Sequence, residues 1–348
     1  MAFTTIDDPS AHFQTVLWTG NGSTQSITFD GNSNLQPDFL WTKCRSDTFD
    51  PIMRDTSRGI ANRLLVHATD AEGGATGTTA FNSDGFSLDS TNTVNNNTDT
   101  YAAWGWKANG GTTSSLSGGD IGITTTSQVN STAKFSINTY TGTGSQSAIG
   151  HGLGVKPDLI IIKNRDQADG WFVWHKFLNN NQGLALQSTD AAATNNGYMG
   201  NEAPTTTTIG VGTGSNTNAS GEKYVCYAWA NVQGYSSFGK YNSADQGNGP
   251  FIYTGFRPAC VIIKAHEDAG TNWRIYDNKR HGYNNNNDFF ELNRNSAEAT
   301  SSELDILSNG FKLVDAEGDA NYNDMNLIYF AWAEHPFVTS SGVPTTAR

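Results

Sequence analysis

The chain has 348 residues, of which 36% are hydrophobic and only 16% charged, with nine Trp, eighteen Phe and twelve Tyr. This aromatic content separates it from disordered chains, which lack the apolar surface to offset the entropy lost on ordering, and its length predicts two or three domains. The formal charge of −12, from 21 basic and 33 acidic residues, repels phosphate backbones and anionic lipid and argues against nucleic-acid and membrane-surface roles.

Gly, Ser, Thr and Asn dominate the remainder and strong helix formers are sparse, so an all-β fold is expected. Residues 1–12 read as a short arm with neither the basic region nor the apolar run of a secretory leader. A first unit, 13–110, opens on the aromatic segment Leu17-Trp18-Thr-Gly-Asn-Gly22 and continues into the apolar run Pro37-Asp-Phe-Leu-Trp-Thr-Lys43. It proceeds through Pro51-Ile-Met-Arg-Asp55, Leu64-Leu-Val66 and the corner Gly85-Phe86, and closes on Tyr101-Ala-Ala-Trp-Gly-Trp106. The stretch 111–132 is Gly, Thr and Ser with isolated Ile, which reads as a linker or an exposed hairpin.

The same series then returns. A second unit, 133–233, carries Tyr140, Pro157-Asp-Leu-Ile-Ile-Ile-Lys163, Trp171-Phe-Val-Trp-His175, Leu184-Ala-Leu186 and Tyr224-Val-Cys-Tyr-Ala-Trp229. A third, 234–338, carries Tyr241, Pro258-Ala-Cys-Val-Ile-Ile-Lys264, Trp273-Arg-Ile-Tyr-Asp277, Phe289-Phe-Glu-Leu292, Gly310-Phe311 and Leu327-Ile-Tyr-Phe-Ala-Trp332. Residues 339–348 read as a loose tail. Short strands separated by Gly, Asn and Asp turns predict three tandem β-sandwich modules of jelly-roll or lectin-like type. No run approaches the ~20 apolar residues of a membrane span, so no membrane insertion is expected. Cys44, Cys226 and Cys260, odd in number and widely spaced, read as small unpaired thiols made in a reducing cytoplasm.

The second and third units resemble an uncharacterised repeat of tail-associated and other structural proteins of tailed bacteriophages. The likeness rests on Gly150-His-Gly-Leu-Gly-Val-Lys-Pro-Asp-Leu-Ile-Ile-Ile-Lys163, Tyr224-Val-Cys-Tyr-Ala-Trp229, Gly234-Tyr-Ser-Ser-Phe-Gly-Lys-Tyr241, Gly249-Pro-Phe-Ile-Tyr-Thr-Gly-Phe-Arg-Pro258, Leu307-Ser-Asn-Gly-Phe-Lys-Leu313 and Ala333-Glu-His-Pro-Phe337. It covers about two thirds of the chain well and the first unit more loosely. The resemblance implies a virion component with lectin-like β-sandwich modules, and it brings no catalytic residues.

Aromatic positions shared by the units, such as Trp106, Trp229 and Trp332, are expected to fill cores. Loop aromatics that do not recur, Tyr198, Tyr283 and Trp174, are the candidates for stacking on sugars. The Asn runs 95–97, 179–181 and 284–287 are loop tips suited to hydroxyl-rich ligands. Asp315 to Asp324 offers oxygens at alternate positions, as a calcium loop does, but lacks the sharp-turn Gly and ends on Asn326 where a bidentate Glu belongs. No metal or cofactor is therefore expected. No Gly-x-Ser-x-Gly elbow accompanies the seven His. Asp166 with Asp169, and Glu267 with Asp268, read as turn acids rather than a hydrolytic pair. Lys43, Lys163 and Lys264, each ending an apolar strand, are expected to pair with a nearby acid or to guard a sheet edge. The function expected is a non-enzymatic virion protein, assembled in the host cytoplasm and homo-oligomeric. It would be a tail-fibre or receptor-binding component contacting host surface polysaccharide, or else a capsid decoration or head-fibre protein working only through contacts with other virion proteins.

Overall fold

Residues 37–44 and 157–164 follow one local logic. A Pro and an Asp hold the entry extended, and a β-branched or aromatic run then lies flat on a sheet until the Lys and a polar turn end it. In the third occurrence Pro258 lies within the strand Phe256–Ala265, at a register shift, where its missing N–H breaks no ladder. The computed structural model describes residues 3–74, 77–119, 122–244, 247–280, 284, 287–301, 303–315, 318–322 and 324–345. Over these the chain is all-β, with single helical turns at Pro9–Ala11, Asn92–Asn95 and Ser215–Asn218.

One sheet order recurs. In the first sheet it is Phe13–Thr19, Thr100–Trp106, Phe39–Cys44, Ile52–Asp55 and Leu64–Leu65. In the second, Phe135–Thr141, Lys223–Trp229, Leu159–Asn164 and Phe172–His175 stand in the same succession, and in the third Ser236–Asn242, Asn326–Pro336, Phe256–Ala265 and Arg274–Asp277 do so. The strands are antiparallel, and the closing Trp of each series lies opposite the same position of its neighbour: Phe39 with Trp106, Leu159 with Trp229, Cys260 with Trp332. A smaller sheet covers one face of each; in the first it is Gln25–Ile27, Gly85–Leu88 and Thr78–Asn82. The Gly-Phe corner is steric: a Cβ on Gly85 would lie 1.9 Å from the Ile27 carbonyl oxygen, and one on Gly310 2.0 Å from that of Ile252.

Period-two alternation divides the first and third large sheets between two cores, whereas both faces of the second belong to one continuous cluster. In the first, Val16, Trp18, Leu40, Cys44 and Tyr101 face the small sheet. Phe13, Phe39, Trp41, Trp104 and Trp106 face the other way, into a core shared with both later units. The shared tryptophans are buried, but not in separate cores. They meet, with ring centroids 5.1 Å apart for Trp106 and Trp332, 6.0 Å for Trp229 and Trp332, and 6.3 Å for Trp106 and Trp229. The indole N–H groups of all three, and of Trp41, lack a hydrogen-bond partner. Trp106, Trp229 and Trp332 meet edge-on, with 66° to 76° between rings.

Two expectations about connections change. The stretch 111–132 does not link separate bodies. Thr125–Asn130 pairs along Phe135–Thr141, Ser114–Leu116 pairs on its far side, and Gly122–Ile123 adds in parallel to Ser147–Gly150. Its Thr and Ser residues suit an outer strand as well as a loop, so composition alone misleads. The arm and tail are also tied down. Thr4 and Ile6 are buried, and Asp7 accepts hydrogen bonds from the Ser340 backbone (2.6 Å) and hydroxyl (2.5 Å).

Because the inner faces share one core, wild-type protein should unfold in urea in one transition, with tryptophan fluorescence and far-UV circular dichroism superimposed. Trp332→Ala should lower its stability by about 3–5 kcal/mol. Separate transitions for the three stretches would contradict the shared core.

Candidate functional site at the seams

Where two units meet, the turn after the central strand of one receives the next in rotation. Glu72 donates its backbone N–H to the Arg165 carbonyl (2.7 Å), and Glu298 does the same to Arg45 (2.8 Å). Their side chains complete each clamp, Glu72 with Arg165 at 2.7 Å and Glu298 with Arg45 at 2.7 Å. At the third position Ala192 makes the corresponding backbone bond to His266 (2.8 Å), without an ion pair between their side chains. The strand-ending lysines serve the same turns. Lys43 donates to the carbonyls of Cys44 and Asn295, Lys163 to those of Asn164 and Gln167, and Lys264 to those of Thr189 and Thr271. They thus meet carbonyls where an acid or a bare sheet edge was expected. Burial lowers each of the three to about 8.

A second contact set lies deeper. Asp55 is fully buried with Arg58 (2.5 Å) and accepts the Tyr227 hydroxyl (2.6 Å). Asp277 is buried with Arg280 (2.7 Å) and accepts the Trp104 indole N–H (3.1 Å). The third seam replaces all of this with apolar contact: His175 lies beneath the Phe330 ring at 5.5 Å, and Leu178 stands where the Arg stands elsewhere. Burial, and to a lesser degree the neighbouring Lys176, hold His175 well below the usual histidine range, so it is neutral.

At this third seam the surface opens. A cavity of about 360 Å³ is lined by Phe177, Asn179, Gln182, Ala192, His266 and Glu267, on the side where the Arg–Glu clamp is missing. Phe177 is 43% exposed, with Lys240 5.1 Å and Lys176 5.6 Å from its ring centroid. The loop is held in place: the Gln182 carboxamide accepts the Asn179 backbone N–H (3.0 Å), and the Asn179 backbone carbonyl accepts the Trp174 indole N–H (3.2 Å). Glu267 accepts the Asn326 amide at 2.6 Å. Burial lowers the His266 pKa, Glu267 opposing and Lys240 adding to the effect. An exposed ring, two carboxamides, an imidazole and a carboxylate can together bind C–H faces and hydroxyl groups.

The expected sugar contacts are placed differently. Trp174 is only 1% exposed and anchors the Asn179 loop from beneath; a neutral strand interior was mistaken for a loop position. Tyr198 is half-buried against Phe172 at 4.9 Å. Tyr283 lies outside the described residues. Phe177 was missed, although its difference from Ser57 and Lys279 at the matching turn positions was legible. Asn95, expected at a ligand-facing loop tip, is instead buried, donating to the Asp89 carbonyl (2.7 Å) and accepting the Asn21 N–H (3.0 Å). Asn218 and Asn321 were missed and also tie loops together: Asn218 donates to the carbonyls of Ser145 (2.6 Å) and Gly212 (2.7 Å) and accepts the Thr143 N–H (2.8 Å). Of the acidic run, Asp319 pairs with Arg274 at 3.1 Å. Among the described residues no group of three or more His, Cys, Asp or Glu could hold a metal ion, and no helix is long and apolar enough to cross a membrane. All three cysteines are free and buried.

Residues 8–336 match the model of a domain of unknown function, DUF7483, and the chain belongs to that family. No curated protein and no solved structure matches it.

The seams predict two mutational outcomes. Asp55→Ala should cost about 3–5 kcal/mol by removing the acceptor of the buried Tyr227 hydroxyl and leaving Arg58 with Glu72 as its remaining carboxylate, whereas Asp55→His, Arg58→Leu and Tyr227→Phe together, which copy the apolar seam, should be nearly neutral or stabilising in chemical denaturation. Installing the missing clamp with Ala192→Glu and His266→Arg should add up to about 1 kcal/mol, and a crystal structure of that variant should show the cleft filled.

Proposed function

We propose that this DUF7483 chain is a non-enzymatic structural protein of a tailed-phage virion, in which three tandem β-sandwich modules form a rigid, tail-mounted host-recognition component. The cleft at the third seam is its contact for host surface polysaccharide. One observation carries this reading: the only seam built without an Arg–Glu clamp, among the described residues, is also the one presenting an exposed aromatic ring beside two carboxamides. The fold gains nothing from leaving that clamp out, and sugars are bound by this combination of stacking face and hydrogen-bonding rim. Homo-oligomerisation accompanies the reading, since several weak sugar contacts gain avidity only when repeated on one particle.

A capsid decoration or head-fibre role is the second reading, and a different feature favours it. Phe251–Tyr253 is the outer strand of its small sheet, and Phe251 and Tyr253 are 45% and 62% exposed. The matching edge of the second unit is covered by the chain's own Gly122–Ile123, so a partner protein's strand fits the uncovered one.

Purified protein should slow adsorption of the phage to its host, and Phe177→Ala should weaken that competition at least about fivefold with the unfolding curve unchanged. Undiminished competition by Phe177→Ala removes the cleft from the reading. Immunogold labelling confined to the head shell, with incorporation lost in Tyr253→Lys, would replace it with the second.

A further inference from the structure

We propose that the seam between the first and third units is a separate binding site for an uncharged polyhydroxyl ligand the size of one sugar ring. The inference comes from comparing this seam with the other two, which show how the same geometry is closed when it is not used.

Between the second and first units, Thr56 and Ser57 follow the buried Asp55. The Gln128 carboxamide lies against them, donating at 2.8 Å and 2.7 Å and accepting the Gly111 N–H at 2.8 Å. Asp38 fills the space beside it, accepting the Thr56 hydroxyl (2.9 Å) and the N–H groups of Ala108, Gly110 and Gly111. Between the third and second units, Asp158 does the same for Asn231 N–H (2.6 Å) and Lys176 (3.1 Å).

At the first–third seam every one of these plugs is gone. Ala259 stands in place of Asp38 and Asp158, and Asn278 and Lys279 stand in place of Thr56 and Ser57. The strand Phe13–Thr19 is the outermost of its sheet, with no counterpart of the Gln128 strand beside it. A half-open cavity of about 170 Å³ remains.

Its lining carries unmet hydrogen-bonding capacity. Thr15 is 3% exposed and its Oγ1 has no partner; Oδ1 of Asn278 is likewise buried and unpartnered. At the position of Thr15 the second and third units carry Ile137 and Phe238, so the hydroxyl is not a requirement of the strand. Buried polar atoms are nearly always satisfied, and a cavity wall holding two that are not is waiting for donors.

The charges at the rim are already matched: Lys279 on Asp30 at 2.9 Å and Glu334 on Arg257 at 2.5 Å. A neutral ligand leaves these pairs intact, whereas a charged one competes with them. Hydroxyl groups supply the donors, and Phe13 offers an apolar wall to ring C–H groups.

The test is saturation-transfer NMR of the full chain with methyl α-D-glucopyranoside, methyl α-D-mannopyranoside and methyl β-D-galactopyranoside, with D-glucuronate as the charged counterpart. At least one neutral pyranoside should bind saturably and glucuronate at least tenfold more weakly. Thr15→Ile and Ala259→Asp should each weaken the neutral ligand at least tenfold; both introduce residues that the other units tolerate at the same place. These comparisons are made in the Phe177→Ala background, where the stacking ring of the third-seam cleft is absent and saturable binding should remain, which separates the two sites. In that background, no binding by any of the three pyranosides, or binding that survives both seam substitutions, would each overturn the site.

Discussion

Exclusion of water from the meeting point of Trp106, Trp229 and Trp332 is the interaction on which the rest of the molecule depends. Each ring belongs to a different large sheet, and each is withdrawn from solvent by the other two. A sheet of this kind has two apolar faces, and its own small sheet covers only one. The second face can leave water only against a like face, so the rotation of the units around a common interior follows from burial alone. The clamps, the lysine caps and the buried Asp–Arg pairs are then consequences of geometry: they lie where polar turns are forced against a neighbouring sheet and must find partners.

The seams show two physical solutions to one packing problem within a single chain. Two of them bury a carboxylate with a guanidinium and an aromatic hydrogen-bond donor; the third buries a neutral imidazole under a phenyl ring. The polar version needs every member present, because an ion stripped of its partner is costly in a low-dielectric interior, whereas the apolar version relies only on shape. Their coexistence at equivalent places indicates that the core demands volume there and accepts either polarity.

Much of the strand content was legible because it is local. The Pro-to-Lys runs, the Gly-Phe corners and the aromatic closures each carry their own period-two pattern and turn chemistry, and each becomes a strand where expected. What the pattern could not convey is which surface a face meets. An alternating strand announces two faces without naming the partner of either, so Trp106 read as the core of one unit when it belongs to all three. Residues 111–132 failed for a related reason: a strand that only adds to an existing edge needs little apolar character. The lysines failed because a carbonyl cap leaves no sequence trace. At the candidate site, the Asn179 loop was visible as an amide-rich tip, but Trp174 shares the aromatic character of a sugar platform while occupying a strand interior. Phe177 stood out only by misfit with its two counterparts, a signal that becomes readable once the turns are superimposed.

The knot between Asp7 and Ser340 gives the ring its closing stitch, joining the beginning of the chain to its end across the first and third units. Bead-like arrays lengthen or shorten by whole repeats because every terminal bead has a free side. Here the inner faces of the three large sheets meet in one core, so removing one would leave two raw faces. Individuality among the sheets then shows as differences between their junctions.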